Sequence, residues 1–134
     1  MKFLLDTNVL ISAFVFRGVT SKVLLRLLDM NAEIYVSEYI DKEFRDKLFE
    51  KWADRAELVY NLYRQLNFKF CKSANKKLGD LRDPKDIPVL SDAIFNGVDV
   101  IVTGDKDFLE ANLEKPLVLS PDMVMDFLDK YLQN

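Results

Sequence analysis

The sequence contains no histidine and only one cysteine, Cys71. Without histidine, the chain cannot build a His-ligated zinc site, a Ser-His-Asp or Cys-His catalytic group, or a histidine acid–base pair. One cysteine forms no intramolecular disulfide, and we expect it to be a packing residue in a reducing compartment. Any catalytic chemistry in this chain must therefore use carboxylates.

Glycine and proline are scarce, at 4 residues each, and no apolar run reaches the roughly 18 residues of a membrane span. Asp6 and Asn8 interrupt the apolar N-terminal stretch, so we expect no signal peptide. With 49% hydrophobic residues among 134, the chain can bury a substantial core. We expect a single domain over residues 1–134, located in the cytoplasm and without a membrane segment.

The net charge is −3, which argues against nucleic-acid binding through overall charge. The charges are unevenly distributed, because residues 41–85 hold 12 Lys and Arg against 8 Asp and Glu. Lys47, Lys51 and Arg55 recur at four-residue spacing. This face could follow a phosphate backbone, but we favour the simpler interpretation of a solvated helix flank.

Short apolar strands alternate with helical patterns along the chain. Strands are predicted at residues 2–5, 33–36, 68–70, 98–102 and 117–119. A first helix is predicted at residues 9–16, and a second begins after a cap at Thr20 or Ser21. A helical hairpin is predicted from Ser37 to about Leu66, and a further helix begins at Asp86 or Ile87. The last helix is predicted from Pro121, with Met123, Phe127 and Leu128 facing inward. The pattern predicts an α/β fold, a three-layer α/β/α sandwich with a mostly parallel central sheet.

Four acidic residues fall where a parallel sheet gathers its loops. Asp6 ends the first predicted strand, and Asp105 follows the fourth, with Asp107 two residues further on. Asp86 begins a helix, and Glu43 lies at the border of the apolar stripe on its own helix. Because the carboxyl ends of parallel strands meet at one edge of a sheet, we expect these carboxylates to converge.

Each acid also has an ordinary structural explanation. Asp6 and Asp105 could be turn or cap residues, and Asp86 could be a helix N-cap. Glu43 could pair with Lys47 at i, i+4. Convergence favours a different explanation, because neighbouring carboxylates raise one another's pKa unless a cation neutralises them. Oxygen-only ligands select hard cations, so the expected cofactor is Mg²⁺ or Mn²⁺.

These motifs resemble those of the PIN-domain family. The segments that carry the resemblance are Leu4-Leu-Asp-Thr-Asn8, Ser37-Glu-Tyr-Ile-Asp-Lys-Glu43, Asp83-Pro-Lys-Asp86 and Val102-Thr-Gly-Asp-Lys-Asp107. They span almost the whole chain, and both their order and their spacing agree with the family. The resemblance is greatest to the VapC-like ribonucleases, which are the toxins of type II toxin–antitoxin pairs.

The resemblance implies a metal-dependent endoribonuclease with an acidic pocket. Its catalytic and metal-binding acids would be Asp6, Glu43, Asp86 and Asp105, with Asp107 as a further metal ligand. The supporting residues would be Asn8, Thr103 and Asp83, whereas Asp92 lies on another face of its helix from Asp86. A homodimer and a small antitoxin partner are implied as well.

Such a pocket hydrolyses RNA with water as the nucleophile, which predicts a 5′-phosphate and a 3′-hydroxyl at the cut. The basic residues expected nearest the RNA backbone are Lys47, Lys51, Arg82 and Lys85.

Three alternatives remain open from the sequence. A haloacid-dehalogenase-like phosphatase also places Asp after its first strand, but it needs a second Asp where this chain has Asn8. A receiver-type domain needs an acidic pair at the first strand end, and Asp6 has no acidic neighbour. The third alternative is a non-catalytic RNA- or protein-binding module with a structural ion, because a fold does not determine a function.

Overall fold

A computed structural model describes residues 1–132 of the chain. Its five strands are β1 (Lys2–Leu5), β2 (Glu33–Ser37), β3 (Lys69–Cys71), β4 (Val100–Val102) and β5 (Leu117–Leu119). They form one sheet in the order β3-β2-β1-β4-β5, and every neighbouring pair is parallel. The sheet is therefore entirely parallel, where the sequence indicated a mostly parallel one.

Seven helices connect or follow these strands in the described part of the chain. They are α1 (Thr7–Val15), α2 (Val19–Asp29), α3 (Glu38–Lys51), α4 (Ala56–Gln65), α5 (Ile87–Phe95), α6 (Lys106–Leu109) and α7 (Pro121–Leu132), and a 3₁₀ turn (Pro84–Asp86) precedes α5. No helix within residues 1–132 is by itself long and apolar enough to cross a membrane. The α1–α2 pair meets that test only when taken together, and it is bent by 97°.

Helices flank the parallel sheet. Helices α1 to α4 pack on one another, and α7 packs on α2. The chain moves outward from β1 to β3 and then crosses back to β4. Because parallel crossovers are right-handed as a rule, α5 is expected on the opposite face from α1 to α4. The predicted α/β sandwich is confirmed. All five strands point the same way, so their carboxyl ends open at one edge of the molecule.

The central strands are buried on both faces, as their β-branched and aliphatic composition predicts. Leu4 and Ile101 are paired neighbours in β1 and β4, and both are completely buried. The predicted stripe on α3 is also confirmed, because Ile40, Phe44 and Leu48 recur at four-residue spacing and are inaccessible to solvent. These contacts fix the positions at which the strands end.

Several element boundaries differ from the sequence predictions. Strand β4 starts at Val100, because the Val98 N–H donates to the Ala93 carbonyl and so completes the end of α5. Met123 was expected to face inward but is 48% exposed, and Val124 is buried instead. Helix α6 was not predicted, because four residues are too short to show a periodic pattern.

The start of α2 was also predicted wrongly. Its N-cap is Gly18, and Thr20 and Ser21 lie inside the helix. Gly18 has a φ of 152°, a backbone conformation that favours glycine. The Ser21 hydroxyl donates to the carbonyls of Ala13 and Phe16, so it joins α2 to the end of α1 instead of capping its own helix.

Candidate metal centre

Asp6 lies at the carboxyl end of β1 and is only 8% exposed. Its Oδ1 accepts a 2.7 Å hydrogen bond from the Thr7 N–H and caps α1. Its backbone N–H donates to the Val102 carbonyl, which aligns Asp6 with the end of β4. Asp6 therefore caps a helix, which is the ordinary structural role that the sequence also suggested for it. It lies in addition where the carboxyl ends of the strands converge.

Thr103 and Asp105 continue the chain beyond β4. Thr103 is buried, and its Oγ1 donates to Oδ2 of Asp6 at 2.9 Å. The same oxygen accepts a 3.1 Å hydrogen bond from the Asp105 N–H. The Asp105 side chain caps the short helix α6 by accepting from the Phe108 N–H. These bonds fix Asp105 next to the end of β1.

Asp83 and Asp86 approach from the turn that precedes α5. One carboxylate oxygen from each of Asp83, Asp86 and Asp105 lies within 4.8 Å of the other two. Asp83 caps the 3₁₀ turn by accepting a 3.0 Å hydrogen bond from the Lys85 N–H. The Asp86 side chain, by contrast, makes no cap hydrogen bond at the start of α5. The N-cap explanation thus applies to Asp83 and not to the Asp86 carboxylate.

The Asp86 carboxylate is buried and incompletely paired. It is 7% exposed, and its Oδ2 has no hydrogen-bond partner among residues 1–132. The other buried side-chain oxygen without a described partner is Thr7 Oγ1, directly after Asp6. An unpaired buried carboxylate oxygen is costly unless a cation or a proton satisfies it.

The pKa of Asp86 is raised from its ordinary 3.8 to about 7, first by burial and then by the negative charges of Asp105, Asp6 and Asp83. Burial also raises the pKa of Asp6, although its hydrogen bonds from Thr103 and Thr7 oppose this; Glu43 and Asp105 add repulsion. The group thus concentrates negative charge in a poorly hydrated place.

Glu43 reaches the same edge of the sheet from α3. It raises the pKa of Asp6 through its charge, but it lies outside the three-carboxylate group of Asp83, Asp86 and Asp105. Its Oε2 accepts a 3.2 Å hydrogen bond from the Tyr39 hydroxyl. The alternative i, i+4 partner, Lys47, instead donates to Oδ1 of Asn8 at 3.1 Å.

The remaining residues suggested by the sequence lie around this group. Arg82 and Asp107 form an ion pair with an N–O distance of 2.5 Å, which keeps both side chains together outside the three-carboxylate group. Lys51 and Lys85 are exposed on α3 and in the 3₁₀ turn. The structure therefore brings together Asp6, Asp83, Asp86, Asp105 and Thr103, with Glu43 beside them and the basic residues further out.

Two features of this region were missed by sequence reasoning. Tyr39 contacts Glu43, and burial, followed by the Glu43 charge, raises the Tyr39 pKa to about 12. Asp92, 2% exposed, accepts hydrogen bonds from the Ser73 hydroxyl and the Ala74 N–H, both at 2.8 Å. In the sequence, the contact between Tyr39 and Glu43 is indicated by their spacing of one helical turn. Nothing in the sequence links Asp92 to residues 18 and 19 positions away.

The donor set fits a hard divalent cation. All the converging side chains offer oxygen, and one buried oxygen is unpaired, as a cation ligand would be. The site contains neither histidine nor thiolate, the usual ligands of zinc and copper. The acidic group is therefore consistent with a divalent metal site.

Comparisons with known proteins show the family and the fold of the chain. No curated protein matches the chain by sequence. Among solved structures, the chain is similar in fold to the crystal structure of VapBC2 from Rickettsia felis bound to a DNA fragment from their promoter, with a TM-score of 0.68 and 17% identity over 89% of this chain and 97% of that one. A family model described as a PIN domain matches residues 2–107, well over half of the sequence. The chain therefore belongs to the PIN domain family.

Proposed function

We propose that the protein is a metal-dependent endoribonuclease that hydrolyses RNA phosphodiesters. Asp6, Asp86 and Asp105 bind a Mg²⁺ or Mn²⁺ ion in this proposal, with Asp83 and Glu43 completing the pocket. The single observation that carries it is the buried, unpaired Oδ2 of Asp86 beside the other carboxylates. A folded chain has little reason to bury such an atom among like charges unless a cation balances them.

The chain's own residues supply the arrangement of the site. Thr103 fixes Asp6, and the cap hydrogen bonds fix Asp105, so neither carboxylate has to reorganise when substrate arrives. When bound, a divalent cation supplies water activation and neutralises phosphate charge. Glu43 has one oxygen held by Tyr39, which leaves Oε1 to accept a proton from the attacking water.

Because water is the nucleophile in this proposal, the products carry a 5′-phosphate and a 3′-hydroxyl. No protein side chain becomes covalently attached in this proposal, in agreement with the absence of histidine. Burial raises the pKa of the Cys71 thiol to about 11, so it is a poor nucleophile at neutral pH.

We also propose where the RNA backbone runs. Lys47 lies beside Asn8 next to the start of α1, and Lys51 follows it by one turn on α3. Lys85 lies in the turn between Asp83 and Asp86. In this proposal these lysines contact the RNA backbone, whereas Arg82 is paired with Asp107 and contributes less.

The biological role that we propose is the toxin of a toxin–antitoxin pair. The fold similarity to VapBC2 supports it, and so do the exposed apolar residues Leu58 and Leu62, at successive turns of α4. A small antitoxin protein and a homodimer are the proposed partners. We further propose that residues 1–134 act as one nuclease domain in the cytoplasm.

The deciding experiment incubates a mixed RNA substrate with Mn²⁺, with Mg²⁺ and with EDTA. The proposal expects cleavage that requires metal, is lost in Asp6→Asn and persists in Asp126→Asn, a matched change at an exposed position of α7. End-group analysis should find 5′-phosphates. RNA binding without cleavage would indicate the binding module instead, and phosphate release from a small phosphomonoester would indicate a phosphatase.

A further inference from the structure

Tyr39 lines two surface cavities at the border of the acidic pocket. We name the first the Tyr39–Pro88 cavity; it has a volume of about 360 Å³, and the residues that line it include Tyr39, Ile87, Pro88, Lys76 and Lys77. The second has a volume of about 490 Å³ and contains Tyr39, Glu43 and Lys47. A ligand passing from one cavity to the other therefore crosses Tyr39.

The Tyr39–Pro88 cavity is adjacent to the candidate metal ligands. Ile87 and Pro88 directly follow Asp86 in the chain, and the Tyr39 hydroxyl is bonded to Glu43. A group held in this cavity thus lies next to residues that adjoin the acidic pocket.

Three polar side chains in the wall of this cavity, those of Ser73, Ser91 and Asp92, are already hydrogen-bonded. Both oxygens of Asp92 accept hydrogen bonds, from the Ser73 hydroxyl and the Ala74 N–H. The Ser91 hydroxyl accepts from the Leu78 N–H at 3.0 Å. Apolar surface with an aromatic ring therefore remains for a ligand, and the only charges at its margin are those of the two lysines and the satisfied Asp92.

We infer that the Tyr39–Pro88 cavity binds one unstacked base of single-stranded RNA, with the neighbouring phosphates at Lys76 and Lys77. A base offers a π-face to an aromatic ring, and its flanking phosphates match the lysines in charge. Lys77 forms only an exposed ion pair with Asp80, which phosphate can replace. The inference rests on the proposed function, because it places the base next to the bond that is cut.

Tyr39 then has two separable roles. Its ring stacks on the base, and its hydroxyl positions Glu43 by holding Oε2. Tyr39→Leu removes both roles, whereas Tyr39→Phe removes the hydroxyl alone. Tyr131→Leu is the matched control, because Tyr131 lines a cavity with Met1 and Glu33 at the amino ends of the strands, away from the acids.

The first measurement is equilibrium binding in an Asp6→Asn background with Mn²⁺. The probes are a labelled single-stranded oligouridylate and an abasic ribose-phosphate oligonucleotide of equal length. Tyr39→Leu should weaken oligouridylate binding about tenfold without affecting the abasic probe, the size expected for one lost stacking contact. Tyr39→Phe and Tyr131→Leu should bind as the background does. Equal effects on both probes, no effect of Tyr39→Leu, or no RNA binding at all would overturn the inference.

The second measurement is steady-state cleavage with Asp6 restored. Tyr39→Leu should raise KM about tenfold, and Tyr39→Phe should lower kcat while leaving KM unchanged, a division that a purely structural role of Tyr39 would not produce. A raised KM in Tyr39→Phe would overturn the stacking role. If no protein cleaves RNA but the binding pattern holds, the nuclease proposal fails and the base cavity stands.

Discussion

Thr103 donates a hydrogen bond from its Oγ1 to Oδ2 of Asp6 across 2.9 Å, and so connects the carboxyl ends of the two central strands. The same oxygen accepts from the Asp105 N–H. A single buried hydroxyl thus orients two of the carboxylates assigned to the cation. Such a group behaves like the outer-shell partners that fix metal ligands in other proteins.

Replacing Thr103 by valine tests this arrangement while keeping the side-chain volume nearly constant. Thr103→Val leaves Asp6 and the Asp105 N–H without their shared partner, so we expect the free energy of unfolding to fall by about 1–3 kcal/mol. RNA cleavage should fall about tenfold or more. Thr103→Ser keeps the oxygen and should retain most of the activity. Unchanged cleavage by folded Thr103→Val, checked by circular dichroism, would contradict the arrangement.

Asp86 is the acid whose charge can be removed with least structural damage, because its side chain caps no helix in the described chain. Asp86→Asn removes one of several repelling charges. In EDTA at pH 7.5 we expect the free energy of unfolding to rise by about 1–3 kcal/mol, since one pKa unit corresponds to about 1.4 kcal/mol. Mn²⁺ affinity, measured by calorimetry, should fall at least about tenfold, as one ligand is lost. A lower melting temperature in EDTA would show that Asp86 has a structural role.

The raised pKa of Asp86 also predicts how stability changes with pH. The folded protein holds a proton that the unfolded chain releases between about pH 4 and pH 7, so stability of the metal-free protein falls as pH rises through this window. The raised pKa of Asp6 changes the stability in the same direction. Urea titrations in EDTA should show this slope in the wild type and a shallower one in Asp86→Asn. Equal slopes for the two proteins would exclude Asp86 as the source.

Asp107 and Asp105 are two residues apart but have different surroundings. Asp107 pairs with Arg82 at the surface, whereas Asp105 belongs to the three-carboxylate group. We therefore expect Asp107→Asn to change stability by less than about 1 kcal/mol and to leave Mn²⁺ affinity nearly unchanged. Asp105→Asn preserves the cap of α6, since Asn caps helices as well as Asp does, but should weaken Mn²⁺ binding. Equal losses of Mn²⁺ affinity would make Asp107 a ligand.

The architecture was predictable because its signals are local. Strand β1 was predicted at its observed bounds, and the Ser37 N-cap of α3 is confirmed by its hydrogen bond from the Ile40 N–H. The edge of the sheet at which Asp6 and Asp105 meet followed from the alternation of strands and helices. Strand ends and helix caps depend on residues that are neighbours in the chain, so they can be recognised in a single sequence.

The pairing within the site was not predictable in the same way. Arg82 and Asp107 are 25 positions apart and meet only because the loop after β3 passes close to α6. From the sequence we expected Arg82 to lie near the RNA backbone and Asp107 to bind the metal. The ion pair between them was not predicted. Whether two side chains of opposite charge meet depends on the path of irregular backbone, for which the sequence has no periodic pattern.

Asp92 provides a last prediction, because its burial gives it a structural role separate from the acidic pocket. Asp92 accepts from the Ser73 hydroxyl and the Ala74 N–H, and the Ser73 Oγ accepts in turn from the Tyr39 N–H at 2.9 Å. Asp92→Ala leaves these donors unpaired, so we expect the free energy of unfolding to fall by about 2–4 kcal/mol in urea titrations.

Asp126→Ala, at an exposed helical position, is the control and should change that free energy by less than about 0.5 kcal/mol. Mn²⁺ affinity of folded Asp92→Ala should match the wild type within about twofold, because Asp92 contributes no oxygen to the three-carboxylate group and the charges of that group stay in place. A stability equal to that of the control would mean that the loop after β3 is held by other contacts. A large loss of Mn²⁺ affinity in folded Asp92→Ala would instead show that Asp92 influences the acidic pocket through Ser73 and Tyr39.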